Sequence, residues 1–232
     1  LVGGTHMWKG DIDYSTYLPE IPEEGRLMVK GDGYLFGDDD MEVYLFPLKD
    51  FNTVEQIHNY PFWEAERQAN INRSWKELKV QVDRMKADDK YVLGWVGNPF
   101  ESAWKLRGFE NLFFDMLTNE EMAENLLDLT TEACFANAEY VAKAGVDILF
   151  IYDDLATDTG LMMSKDIFRK WLLPRYQKII NHARTVMPDI PVFFHTDGNA
   201  IDIVPMLIEA GVTVLNPVQP ECMDPSEVKE RF

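Results

Sequence analysis

The chain has 232 residues, 46% of them hydrophobic, with 40 acidic against 22 basic side chains and a formal net charge of -18 at pH 7. That is enough apolar material for one large core or two small ones, and a surface this acidic repels nucleic acid and anionic membranes, so neither is expected as a partner. The two cysteines, Cys134 and Cys222, lack CxxC spacing and cannot form a disulfide framework, which makes a reducing cytoplasm the expected location. The longest apolar runs, such as VDILFIY (146–152), are strand-length and too short to cross a bilayer. The start, LVGGTHMWKGD, has no basic segment followed by an apolar stretch, so no signal peptide is expected.

Residues 25–46, GRLMVKGDGYLFGDDDMEVYLF, read as hairpins with Gly and Asp at the turns. Residues 64–89 are charged throughout and predict one long exposed helix. From residue 91 the pattern changes. YVLGWVG (91–97) is a short, apolar, β-branched run stopped by Gly-Asn-Pro, hence a buried strand and a turn. A helix follows over 100–117, broken near Gly108, and a second over 119–145, with Thr118 or Asn119 as its cap. Leu126, Leu129, Ala133 and Ala136 share one face of that second helix, and Cys134 reads as a small core residue.

DILFIY (147–152) is the next strand, ending at Asp153 and Asp154. Ser164 opens a helix in which Pro174 predicts a kink or break. PVFFH (191–195) is the third strand, 200–211 its helix, and VTVLN (212–216) the fourth strand. Asp224-Pro225-Ser226-Glu227 then starts another helix. Short apolar strands alternating with helices give an α/β fold with a parallel sheet. A closed (β/α)8 barrel and an open doubly wound sheet both fit, although no GxGxxG or GxxxxGK[ST] follows a strand. Four strands are fewer than a barrel's eight, so a barrel would be incomplete in this chain.

In either architecture ligands bind at the carboxyl ends of the strands. Those ends carry Asn98, then Tyr152-Asp153-Asp154, then His195-Thr196-Asp197-Gly198, then Asn216, with Gln219 and Glu221 just beyond. Each has an ordinary structural reading: a turn cap for Asp153 or Asp154, a core histidine for His195, an Asx-turn for Asp197. Four neighbouring strand ends that agree make the functional reading the stronger one. His195 and Asp197, two apart on a strand, point to one side and suit a zinc or other divalent ion, or proton transfer. A third ligand is expected from Asp153, Asp154, Glu221 or sequence beyond Phe232.

The segments VGNPFESAWKLRGFENLFFDML, YDDLATDTGLMMSKDIFRKWLLPRYQKII and VFFHTDGNAIDIVPMLIEAGVTVLNPVQPECMDPSEVKERF, in that order, resemble the uroporphyrinogen decarboxylase superfamily, as does FPLKDFNTVEQIHNYPF upstream. The resemblance covers roughly residues 44 to 232, taken as one truncated barrel domain, and leaves 1–43 as a poorly matched extension. It implies a (β/α)8 TIM barrel and one of two chemistries. One is cofactor-free decarboxylation of an acidic tetrapyrrole in porphyrin biosynthesis. The other is zinc-dependent methyl transfer among corrinoid proteins, thiols and methylated small molecules. The decarboxylases carry a motif like RQAGRYLPEY, where arginines meet substrate carboxylates; here DIDYST precedes YLPE (17–20), with no arginine. Their GAPWT-like turn is GNPFE, which brings in Glu101. The His-x-Cys-Gly of the methyltransferases is His195-Thr196-Asp197-Gly198, a carboxylate in place of a thiolate.

The resemblance therefore implies a methyltransferase-like enzyme ahead of a decarboxylase, with a non-catalytic barrel that binds a corrinoid protein as a further alternative. His195 and Asp197 are the expected metal ligands. Asp153, Asp154 and His195 are the expected catalytic groups, and Asn98, Tyr152, Asn216 and Gln219 are expected to bind substrate. The expected partners are a small-molecule substrate, a corrinoid protein and a second copy in a homodimer.

Overall fold

The computed structural model describes residues 46–232 and, before them, the backbone of three short strands: β1 (Val29–Lys30), β2 (Tyr34–Phe36) and β3 (Glu42–Tyr44). These pair antiparallel in the order β1-β2-β3, as the hairpin reading expects. The rest of the expected extension, including YLPE and Asp38–Asp40, lies outside the described residues. The described residues from 46 onward divide into two compact units, one of Ser74–Asn98 and Thr131–Phe232, the other of residues 46–73 and Pro99–Thr130.

The first unit holds a four-stranded parallel sheet of β4 (Leu93–Gly97), β5 (Ile148–Tyr152), β8 (Val192–His195) and β9 (Val214–Asn216). A two-stranded hairpin, β6 (Ala156–Thr157) and β7 (Gly160–Leu161), follows β5. The parallel strands lie side by side in chain order, β4-β5-β8-β9, with no reversal. A doubly wound sheet reverses its order at a switch point, whereas a barrel adds each strand to the previous one, so the order is that of a barrel segment. Leu149, Ile151, Val192 and Phe194 are fully buried, while the alternate positions Phe150, Tyr152, Phe193 and His195 are half-buried. Only one face of the sheet is thus completely covered among the described residues, although the strand sequences are apolar on both.

Helices cover that buried face. The long helix α6 (Glu120–Ala144) approaches β4 so closely that a Cβ on Gly94 would lie 2.7 Å from Val141 Cβ, and one on Gly97 2.8 Å from Cys134 Sγ. Those two glycines set the helix's rotation. Cys134, Asn137, Ala138 and Val141 are buried; of the four residues placed on one face by periodicity, Leu126 is buried, whereas Leu129, Ala133 and Ala136 are half-buried. Asn137 settles its buried amide by donating to Val96 O at 2.8 Å. After β5, Ser164 caps α7 (Lys165–Ile167) by accepting from Ile167 N. A π-turn over Phe168–Leu172 then leads into α8 (Leu173–Val186), with Pro174 in its first turn. The helical backbone therefore runs on through Pro174, and the π-turn lies where the proline's missing N–H interrupts the i→i−4 ladder. The short helices α9 (Val204–Ala210) and α10 (Pro225–Arg231) follow β8 and β9. Asp224 caps α10 by accepting from Ser226 N at 2.8 Å.

The charged segment 64–89 is two helices, α2 (Phe62–Asn72) and α3 (Trp75–Ala87), rather than one. Arg73 and Ser74 are extended between them. Asn70, Ile71 and Asn72 are weak helix formers just before the break, and the boundary between the two units falls at the same place.

In the second unit, α1 (Val54–His58) starts at a Thr53–Gln56 capping box. Gly108, at φ 91°, separates α4 (Pro99–Arg107) from α5 (Phe109–Thr118), as expected. Buried Arg107 binds Asp115 Oδ2 at 2.7 Å and donates to the carbonyls of Leu48, Lys49 and Phe51. One guanidinium therefore ties the segment before α1 to the α4–α5 corner. Arg107→Leu leaves the Asp115 carboxylate and three carbonyls without it, and should cost about 3–5 kcal/mol of stability in urea titrations.

At the amino ends of β4 and β5, Asp147 accepts from Lys86 at 2.8 Å and from Val92 N–H at 2.9 Å. Burial pushes this carboxyl up, but the Lys86 and Val92 hydrogen bonds and the Lys86 charge outweigh it and hold it below its ordinary 3.8. A lowered carboxyl stabilises the fold above its unfolded value, and that contribution is lost as pH falls through the folded value. Unfolding followed from pH 6 to pH 2 should therefore lose less stability below about pH 4 in Asp147→Asn than in the parent.

Candidate metal and substrate site

The carboxyl ends of β5, β8 and β9 meet at one level. Tyr152 pairs with His195, and His195 with Asn216, in the parallel register. The ladder continues past the strands: Asp153 N donates to His195 O at 3.0 Å, and Thr196 N to Asn216 O at 2.9 Å. These bonds give the loop after β8 a fixed backbone, so its side chains are aimed by main-chain geometry.

Neighbouring carboxylates separate at this level. Asp153 is fully buried and accepts from Tyr176 Oη on α8 at 2.8 Å. Asp154 is half-buried and faces the opposite way. Its Oδ2 accepts from Tyr152 Oη at 3.1 Å, and its Oδ1 from Asp197 N at 2.9 Å. His195 Nδ1 lies 2.8 Å from Asn216 Oδ1, while its Nε2 lies 3.7 Å from Asp197 Oδ1. Among the described residues, Asp154, His195 and Asp197 each bring a ligand atom within 4.8 Å of the others. One imidazole nitrogen and two carboxylate oxygens are a donor set that suits zinc or a harder divalent ion, and three protein ligands leave a position open. Both Asp154 oxygens already accept one hydrogen bond, and each keeps a second lone pair.

The turn that carries Asp197 is braced from two sides. Gly198 N donates to Gln219 Oε1, and Asn199 N to Thr157 O at 2.8 Å in the β6–β7 hairpin. Gly198 has φ 82°, and a Cβ there would lie 2.5 Å from Thr157 O. Cys222 Sγ lies 3.9 Å from both Asp158 Oδ1 and Gln219 Oε1. Desolvation and the charges of Asp158, Glu221 and Asp197 push its thiol up, so at neutral pH it is protonated.

Of the residues marked from the sequence, Tyr152, Asp154, His195, Asp197, Asn216 and Gln219 come together. Asp153 is turned into the helix layer, Asn98 stands half-buried beyond β4, and Glu221 is exposed outside the three-residue group. Two contributors carried no sequence signal. Tyr176 holds Asp153 from a helix far along the chain. Thr196, fully buried between His195 and Asp197, accepts from Leu155 N at 3.0 Å.

The family model for uroporphyrinogen decarboxylase (URO-D) matches residues 47–231. The chain belongs to the uroporphyrinogen decarboxylase family. A methylcobamide:CoM methyltransferase, MtbA, of Methanosarcina mazei is 22% identical over 169 residues, which is 73% of this chain and 47% of that protein. A uroporphyrinogen decarboxylase of a Sulfurovum species is 23% identical over 205 residues, 84% of this chain and 53% of that one. A solved methyltransferase from Methanosarcina mazei superposes with a TM-score of 0.55 at 21% identity, covering 77% of this chain and 48% of its own. The four-stranded parallel sheet thus matches part of the family's (β/α)8 barrel fold, and the chain spans about half the length of these relatives. No helix among the described residues is long and apolar enough to cross a membrane.

Gly198→Ala puts a Cβ against Thr157 O in a left-handed conformation, and should cost about 1–3 kcal/mol. Limited proteolysis should show faster cutting around residues 156–161 in that variant. Equal stability and equal cutting would remove the hairpin as the brace of this turn.

Proposed function

We propose that the chain forms part of a metal-dependent methyltransferase of the uroporphyrinogen decarboxylase family. It would move a methyl group between a small methylated molecule or thiol and a corrinoid held by a partner protein. The observation that carries this reading is the convergence of Asp154, His195 and Asp197 on one point at the strand ends. His195, Asp197 and Asp154 would hold the ion, zinc or another divalent cation. When bound, it supplies Lewis acidity to a sulfur or oxygen of the small molecule. Asp154, fixed by Tyr152 and the Asp197 N–H, holds its carboxylate toward that point. Asp197, more than half exposed, is the ligand that solvent and substrate reach first. Gln219 keeps the turn in place. Asp153, bonded to Tyr176, supports Asp154 from behind rather than meeting substrate.

Charge favours this reading over tetrapyrrole decarboxylation. The segments 152–164, 195–199 and 216–224 carry Asp153, Asp154, Asp158, Asp197, Glu221 and Asp224 and no lysine or arginine. A polycarboxylate substrate needs the opposite balance. The second reading, a decarboxylase, rests on the match to the Sulfurovum enzyme over 84% of the chain. Neither Cys134 nor Cys222 is in a disulfide, which suits a place in the cytoplasm.

Protein prepared without chelator should carry about one equivalent of zinc, and His195→Ala should lose it. Asp197→Cys should tighten zinc relative to manganese, because thiolate is the softer ligand. Metal-free parent protein would overturn the metal-dependent reading, and turnover of uroporphyrinogen would replace it with the decarboxylase.

A further inference from the structure

We infer that Asn216 is a positioning residue for His195: its amide oxygen holds the imidazole in the Nδ1–H tautomer and leaves the Nε2 lone pair toward Asp197. The Nδ1–Oδ1 separation is 2.8 Å, and an amide oxygen only accepts, so the ring's single proton belongs on Nδ1. Nε2, 3.7 Å from Asp197 Oδ1, is then the free donor atom. Left to itself in water, a histidine side chain prefers the other tautomer, whose Nε2 carries the proton and can bind no metal. Asn216 reverses that preference.

The contact is built in rather than incidental. His195 and Asn216 are register partners on adjacent parallel strands, so their side chains project from the same side at strand spacing. The backbone of Asn216 is itself held by the 2.9 Å bond from Thr196 N. On the other flank the Tyr152 ring lies 4.9 Å from the imidazole, inclined at 45°, and restricts its rotation. Asn216, expected from the sequence to bind substrate, thus spends its oxygen on the histidine. The functional sense of this role rests on the reading of His195 as a ligand, but the tautomer is a property of the metal-free protein.

The test is 15N NMR of imidazole-labelled, metal-free protein in alkaline buffer. The four histidines give four patterns, and His195 is the one missing from His195→Gln. The expected pattern is a protonated Nδ1 and a pyridine-like Nε2. Asn216→Val should shift it to Nε2–H and lower zinc affinity about 10–100-fold, while Asn216→Asp, which still accepts, keeps Nδ1–H and restores binding. An Nε2–H pattern in the parent overturns the inference, and so does an unchanged pattern in Asn216→Val. An Nδ1–H pattern that Asn216→Val abolishes, with zinc bound by neither protein, upholds the inference and removes the cation from the proposed function. If Asn216→Val fails to fold, the parent spectrum and Asn216→Ser decide.

Discussion

Parallel pairing forces residues at the same level of neighbouring strands to within about 4.8 Å of each other, and here that spacing sets Tyr152, His195 and Asn216 side by side. Everything at the candidate site follows from this row. The tyrosine fixes Asp154, the asparagine meets the imidazole, and the ladder continues through Asp153 N and Thr196 N into the turn that carries Asp197. A slip of one residue between β5 and β8 would turn His195 into the helix layer and Thr196 toward the site, and one between β8 and β9 would turn Asn216 away from His195.

The same alternation gives the two aspartates after β5 different environments. Asp153 follows Leu149 and Ile151 into the buried face, where Tyr176 meets its charge with a hydroxyl. Asp154 follows Phe150 and Tyr152 onto the half-buried face and joins the ligand group. A buried carboxylate must be hydrogen-bonded to be tolerated. Asp153 is therefore accounted for by packing, and Asp154 by the point it shares with His195 and Asp197.

The departure from the methyltransferase pattern at Asp197 shapes the chemistry that is left. An oxygen replaces a sulfur, and desolvation together with the charges of Asp158, Glu221 and Asp197 pushes the nearby Cys222 thiol up, so it does not restore a thiolate at neutral pH. A histidine and two carboxylates make a harder, more anionic site than one built on cysteine.

Much of this was legible in the sequence. Apolar strand runs alternating with helices gave the parallel sheet, and the polar residues at one end of each strand marked the face that carries the candidate site. Gly198 after Asp197 marked the turn, and the segments around residues 98, 153 and 195 carried the family resemblance. Three things were not legible. The break at Arg73–Ser74 depends on where two units part. The rotation of α6 depends on the space above Gly94 and Gly97. The choice between Asp153 and Asp154, like the partnership of Asn216 with His195, depends on strand phase and register. β5 and β8 are apolar on both faces, so their alternation carries no phase in the sequence, and no local signal ties residue 216 to residue 195. Composition and spacing determined which chemical groups stand at the strand ends. Only the tertiary structure decided which of them face one another, because that is set by the hydrogen-bond register between strands some twenty to forty residues apart.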